Sequence, residues 1–389
     1  MMQLHLRLIA CILPLALLAH PANAVSITDD LDLGGALRGR LDYDPDRDIS
    51  KFSFDTFFLT ADYHSDTWIA AAKYRFYGDA YPYEYTDRVG DIAFAEYAWV
   101  GYRFSAQRQV QVGQTPIPFG LLPYFGSTFF ETLGNVIGLE DTQDIGVKYL
   151  QNTDGWDLQA AYYPIPAEQG RGTSRGGRTY GTSVATADDY VAGGSDNHER
   201  NILVGRLARK FEAGGWNSEI GASVLGSTLD NRDTDDNGSR YAFALHYSGK
   251  RGPWGIQAQA TRQQMNAKNP GTDELVSFGS FDGTFNVAAR GNLYVADLSY
   301  DIPGRYGWLS GIKVYGNYSL FDKDESAFSD SQRLILGSSF SLGPLWIALE
   351  WLHGRNDPYI GGSDYTQSLG AGGTGHWENQ LYSNIGYYF

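Results

Sequence analysis

The residues that could do chemistry in this chain are charged side chains spaced two apart, on the polar faces of alternating segments. The bases are Arg38, Arg40, Lys73, Arg75, Lys148, Arg206, Arg240, Arg262, Lys313 and Arg333; the acids are Asp32, Asp62, Glu96, Asp157, Glu219, Asp297 and Glu350. Fixed charges of this kind act on ions by field and by exclusion of like charge, without covalent steps. A nucleophile-and-base set is not marked locally. His64, His198, His246, His353 and His376 have no Ser or Asp arrangement beside them that sets up acyl transfer. Residues 233–238 spell D-x-D-x-N-G, the opening of a calcium loop, but its twelfth position is Ala244 rather than a bidentate acid. Residues 370–375 spell G-x-G-x-x-G, yet a strand beginning at Trp377 follows where a dinucleotide fold needs a helix. The sequence therefore predicts no cofactor, no bound metal and no enzyme.

These charges need a frame, and the frame alternates. Leu31, Leu33, Leu37, Leu41 and Tyr43 fall on one face, with Asp32, Arg38, Arg40 and Asp42 on the other. The same period of two recurs around Trp68–Phe76, Tyr241–Tyr247, Trp254–Thr261 and Ile312–Leu320. Segments of about ten alternating residues suit tilted strands that cross a bilayer. About sixteen such segments are predicted: 31–43, 52–63, 67–77, 91–103, 109–114, 144–150, 155–163, 199–211, 216–228, 239–248, 253–264, 291–302, 308–321, 332–341, 345–354 and 377–389. Their connections alternate short and long. The long ones are 44–51, 78–90, 115–143, 164–198, 229–238, 265–290, 322–331 and 355–376. Trp68, Trp156, Trp216, Trp254, Trp308 and Trp346 each stand just after a short turn, as an interfacial belt requires. The expected fold is all-β: a transmembrane antiparallel β-barrel with short periplasmic turns and long extracellular loops.

Composition agrees. The 389 residues include 47 Gly and 27 Tyr but only 3 Met and 1 Cys, with a formal net charge of −15. That balance argues against nucleic acid as a partner. Residues 1–24 read as a secretory leader, with an apolar run Leu8–Ala19 and a small-residue site Ala22-Asn23-Ala24, so cleavage near Ala24 is expected. Leu8-Ile9-Ala10-Cys11 leaves a lipoprotein box as an alternative. After cleavage the barrel is residues 25–389, without cysteine. Asp44, Asp46, Asp48, Asp79, Glu84, Asp87, Asp230, Asp233, Asp235, Asp236, Asp322, Asp324, Glu325 and Asp330 concentrate the acidity in the long loops. Two readings are open for them: divalent-cation bridges to lipopolysaccharide, or a solvated acidic rim.

The chain ends on Phe389 inside the last alternating segment. Val112-Gly113-Gln114, Pro118-Phe119-Gly120, Phe129-Phe130-Glu131 and Asp144-Ile145-Gly146-Val147 follow one another over about forty residues. This patch resembles bacterial outer-membrane porins of the phosphate-selective O/P type. The resemblance implies a bacterial outer-membrane location among lipid and lipopolysaccharide. It implies recognition of Phe389 by the barrel-insertion machinery, a homotrimer, and passive diffusion of small hydrophilic solutes or anions. It also implies that 115–143 folds into the pore as a constriction loop, begun by Pro118, Phe119 and Gly120 and carrying the acids Glu131, Glu140 and Asp141. A lid over the rim is the alternative for that loop. The bases modestly outnumber the acids on the polar faces, which predicts a weak anion (phosphate-like) preference; cross-strand pairing that leaves little field is the alternative. A non-conducting barrel, acting as a hydrolase or as a surface adhesion or structural protein, is the rival function.

Overall fold

In the computed structural model, residues 24–77, 86, 88–360 and 364–389 are described. The expected leader, its cleavage residues before Ala24, and Asp79, Glu84 and Asp87 lie outside them. Sixteen long strands close into one antiparallel barrel. They are β1 Leu31–Asp44, β2 Ile49–His64, β3 Trp68–Tyr77, β4 Ile92–Ser105, β5 Arg108–Pro116, β6 Gln143–Thr153, β7 Trp156–Pro166 and β8 Asn197–Ala213. The second half comprises β9 Trp216–Asn231, β10 Asn237–Arg251, β11 Trp254–Asn266, β12 Arg290–Asp301, β13 Leu309–Lys323, β14 Ser331–Leu342, β15 Leu345–Arg355 and β16 Trp377–Tyr388. β1 pairs with β16 from Ala36↔Tyr388 to Tyr43↔Leu381, which leaves no free edge. Phe389 extends this seam, exchanging backbone hydrogen bonds with Gly35 at 2.7 and 2.9 Å.

Alternation decides which way each side chain points. Leu37, Leu59, Val100, Val112, Leu207, Val224, Phe243, Leu298, Leu336 and Leu349 stand exposed on the outer wall, forming an apolar belt around the barrel. Among the described residues no helix is long and apolar enough to span a membrane. Trp68, Trp156, Trp254 and Trp308 are exposed near the short-turn rim. Trp346 departs from the expected belt. It shares the parity of the buried Ala348 and Glu350, and its ring lies 5.4 Å from that of Phe129 inside the barrel.

Three connections differ from expectation. The loops expected at 44–51 and 229–238 shrink to 45–48 and 232–236, because the strand ladder continues above the apolar belt. A hydrogen-bonded ladder needs no apolar partner outside, so it outlasts the sequence alternation. The connection after β11 contains a hairpin, Leu275–Gly279 with Thr284–Ala288, and Ser183–Val184 pairs with its first strand. Residues 366 and 369 accept backbone hydrogen bonds from Asn286 and Ala288, both at 2.8 Å, so the glycine-rich tract near 370 begins beside folded structure.

Candidate pore constriction

Between β5 and β6 the chain turns into the lumen and carries one short helix, α1 Leu133–Val136. Its apolar residues Phe119, Leu121, Phe125, Leu133, Ile137 and Leu139 are buried. They join one core with Val204, Leu225, Ala244, Met265, Leu293 and Phe321 of the wall and with Phe278 and Phe285 of the outer hairpin. Fully burying each large side chain favours this seat by about 1.5–3 kcal/mol. An irregular loop also brings backbone groups that a strand would have paired. Wall side chains take them. Ser223 Oγ and Gln259 Oε1 accept from Gly120 N and Leu121 N at 3.0 and 2.8 Å. Asp297 accepts from Ser127 N at 2.9 Å, and Glu350 accepts from Phe129 N and Phe130 N at 2.6 and 3.0 Å. Gly120 has φ +68°, and a Cβ there would lie 2.3 Å from Gln259 Oε1, so the first bend requires glycine.

Cations complete the seat. Lys148 Nζ donates to Pro116 O at 2.9 Å, and Arg206 Nε to Gly120 O at 2.8 Å. Arg240 donates to Ile137 O and Gly138 O at 3.2 and 2.8 Å. Arg333 donates to Glu131 O and Thr132 O at 3.2 and 3.1 Å while its fork grips Asp357 at 2.7 and 2.9 Å. These arginines and the lysine were expected as lining of an open pore. Lys148, Arg206 and Arg240 instead lie under the loop as its anchors, and Arg333 both anchors and borders the remaining space.

That space is a cavity of about 410 Å³ between the loop and the wall of β1–β3. Arg38, Arg40, Lys73 and Arg75 line it from the wall, and Glu131, Phe129, Phe130 and Tyr124 from the loop. Arg38 pairs with Asp55 at 3.0 Å and Arg40 with Asp42 at 2.6 Å. Lys73, at 2.9 Å, and Arg75 share one carboxylate, Glu96. Two β-bulges supply Asp55 and Glu96, whereas Arg40 and Asp42 stand two apart on one face of β1. Asp55 is the extra residue where Arg38 and Gly39 pair with Thr56 and Phe54. Glu96 is the extra residue where Lys73 and Tyr74 pair with Tyr97 and Ala95. A bulge turns one additional side chain to the same face, here an acid toward the cations.

On the loop side burial works against ionisation of the acids. Burial first, then the charges of Asp141 and Glu140, push Glu131 well above the usual carboxylate range, and its carboxyl hydrogen-bonds Asp141. Burial likewise raises Asp141, whose Oδ2 accepts from Tyr180 OH at 2.5 Å, and Glu140, which accepts from Thr132 Oγ1 and Phe125 N at 2.5 and 2.6 Å. Tyr180 comes from the 167–196 connection and lies 3.4 Å from Arg75 Nη2, so that loop reaches the cavity. Glu140 thus braces the loop from behind, and Glu131 faces the cavity.

Arg262 corrects an expectation. It was expected in the lumen, but it shares the parity of Ala258 and Ala260, while Gln259, Thr261 and Gln263 are the buried inward residues of β11. It pairs across the sheet with the exposed Phe243 and holds Asp324 in a bidentate pair at 2.6 and 2.5 Å on the outer face. Lys313 lies near the short-turn rim, 3.8 Å from Asp301 and away from the constriction. Pro118 and Phe119 are buried beneath the rest of the loop rather than exposed to the cavity. Sequence reasoning missed Asp55, Phe58, Tyr180 and Tyr382, all bordering the cavity. Asp55 and Phe58 are hidden by the bulge that breaks parity in β2; Tyr382 carried a signal in its inward parity beside Asn384.

His198 does not form a catalytic relay. His198 Nε2 lies 3.0 Å from Asp196 Oδ1 and 3.2 Å from Thr186 Oγ1, so one ring nitrogen meets both partners. A nucleophile–base–acid chain uses opposite nitrogens of the ring.

No family model matches the chain, and no curated protein matches it. Solved structures do. The outer membrane channel DcaP of Acinetobacter baumannii superposes with a TM-score of 0.62 at 14% identity, covering 92% of this chain and 97% of that one. Salmonella typhi OmpF, solved in complex with daunomycin, gives 0.60 at 13% identity, with 92% and 97% covered. An anion-selective porin from Comamonas acidovorans gives 0.53 at 13% identity, with 92% and 99% covered. The chain therefore has the fold of bacterial outer-membrane porins and channels, a closed sixteen-stranded barrel.

Proposed function

We propose that this chain is a passive channel of the bacterial outer membrane, admitting small hydrophilic solutes with a weak preference for anions. The cavity carries the reading: a water-accessible gap about 410 Å³ in volume remains beside the seated loop, bordered by Arg38, Arg40, Lys73 and Arg75. Arg38 and Arg40 each face one carboxylate while Lys73 and Arg75 share the single charge of Glu96, so the wall keeps a small positive excess, and burial disfavours ionisation of the facing Glu131. A small positive excess in a low-dielectric constriction concentrates anions modestly. The phosphate-like preference implied by the resemblance is less favoured by the geometry. Arg40 and Arg333 already hold carboxylates, and a tetrahedral oxyanion needs open donor forks.

The reading includes a cleaved leader ending near Ala24, insertion through the Phe389 end, contact with lipid and lipopolysaccharide, and a homotrimer. OmpT of Vibrio cholerae, which shares the fold at a TM-score of 0.55, was solved in a trimer form, and this supports the last. The reading is non-catalytic. Planar-bilayer recording of the detergent-extracted protein tests it: stable conducting steps are expected, with a reversal potential of anion-selective sign under a salt gradient. Barrels that insert without conducting would overturn the channel, and hydrolase assays would then be the appropriate next step.

A further inference from the structure

We propose that the constriction prefers monoanions carried on a flat aromatic ring, that is, aromatic monocarboxylates, over small hydrated anions; the proposal rests on the channel reading above. The inference comes from how cations and rings are interleaved around the cavity. The Phe58 ring has Lys73 Nζ 4.4 Å from its centroid, Arg75 at 5.4 Å and Arg38 at 5.8 Å. Arg38 also lies 5.3 Å from the centroid of Phe129; Phe129 and Phe130 are half-buried and fixed by their own backbone N–H groups on Glu350. Phe130 sits edge-on to Tyr382 at 5.4 Å and 68°.

Two consequences follow for a passing anion. First, the positive excess is small, because each guanidinium or ammonium already faces a carboxylate and only Glu96 serves two cations. A single delocalised charge matches that excess; a doubly charged anion exceeds it. Second, Phe58, Phe129 and Phe130 on the border supply no hydrogen bond to replace lost hydration. Against those rings a strongly hydrated anion loses water without compensation, whereas a solute with its own ring gains face and edge contacts with Phe129, Phe130 and Tyr124. A void of about 410 Å³ has room for a single-ring solute.

Biionic reversal potentials in planar bilayers test this, with sodium benzoate, acetate and phosphate as probes against chloride. Benzoate is expected to be more permeant than acetate by about two- to tenfold, although it is the larger ion and diffuses more slowly in water. In the double variant Phe129→Leu, Phe130→Leu, which keeps both N–H donors, the benzoate-to-acetate ratio should fall below one. Conduction with acetate or phosphate at least as permeant as benzoate in the natural chain overturns the aromatic class alone. A ratio unchanged in the double variant also overturns it. Absence of conduction with every salt overturns the channel reading and this inference with it.

Discussion

Two sectors of the barrel interior are built from the same strand alternation and end in opposite states. In the sector of β8–β13, inward positions hold Val204, Leu225, Ala242, Ala244, Leu293 and Val295, and the loop after β5 covers them with apolar residues of its own. In the sector of β1–β3, inward positions hold Arg38, Arg40, Lys73 and Arg75, and a gap remains in front of them. The first sector is sealed because burying apolar surface there is favourable and the N–H groups of Gly120, Leu121, Ser127 and Leu133 meet wall acceptors. The second stays open because covering paired charges would strip their remaining hydration with no equal return. Inward polarity is thus divided between two tasks. Ser223, Gln259, Asp297 and Glu350 hold a loop, and the arginines of the facing wall border the cavity.

The strongest break in this comparison is charge reversal of the open sector. Arg38→Glu, Arg40→Glu and Arg75→Glu together should turn the reversal potential to cation-selective sign, and unchanged selectivity would defeat the anion reading. Lys73→Gln is the gentler form: it leaves Arg75 and Glu96 balanced, and the anion preference should fall toward none.

The next largest effect comes from loosening the loop's seat on the wall. Glu350→Ala removes the acceptor of Phe129 N, Phe130 N and Tyr315 OH. Each buried group left unsatisfied costs about 1–3 kcal/mol. Single-channel conductance should rise and the thermal unfolding temperature should drop. A fall in conductance would mean that the loop is not what narrows the barrel.

A smaller effect is expected from pH. Burial and its neighbours hold the proton on Glu131 above the ordinary carboxylate range. The stability this proton lends is complete below the ordinary carboxylate value and is lost as pH rises through the raised one. Over the same rise, ionisation of Glu131 adds negative charge to the gap, so anion preference should decline with pH. Glu131→Gln should flatten that decline, as read from reversal potentials across acid to alkaline solutions.

The smallest effect belongs to the outer wall. Arg262 and Asp324 form an exposed pair at side-chain exposures of 39% and 38%. Arg262→Ala should change stability by less than about 1 kcal/mol and leave the reversal potential where it was.

The strand plan was legible because alternation and short turns are local. All sixteen segments recur in the structure, with ends shifted by a few residues. The partition of the cations was not legible. Whether Arg240 borders water or holds Gly138 O depends on where a loop over a hundred residues away comes to rest. Parity also fails at bulges, which is why Asp55 went unnoticed. Arg262 was misplaced by weighing its polarity above its even parity in β11. The hairpin 275–288 left a signal that was passed over: Val276, Phe278, Phe285 and Val287 alternate around Asp282-Gly283, a turn-forming pair.

The account's central claim is that solutes pass along the wall of Arg38, Lys73 and Arg75 while the opposite sector is sealed. The chain's single cysteine, Cys11, lies in the expected leader, so introduced thiols report cleanly. Lys73→Cys and Ala244→Cys, each exposed to a charged methanethiosulfonate reagent during bilayer recording, compare the two sectors directly. The account predicts a prompt change of conductance in Lys73→Cys and none in Ala244→Cys, whose side chain is fully buried beneath the loop. Equal modification of both, or modification of Ala244→Cys alone, would contradict it.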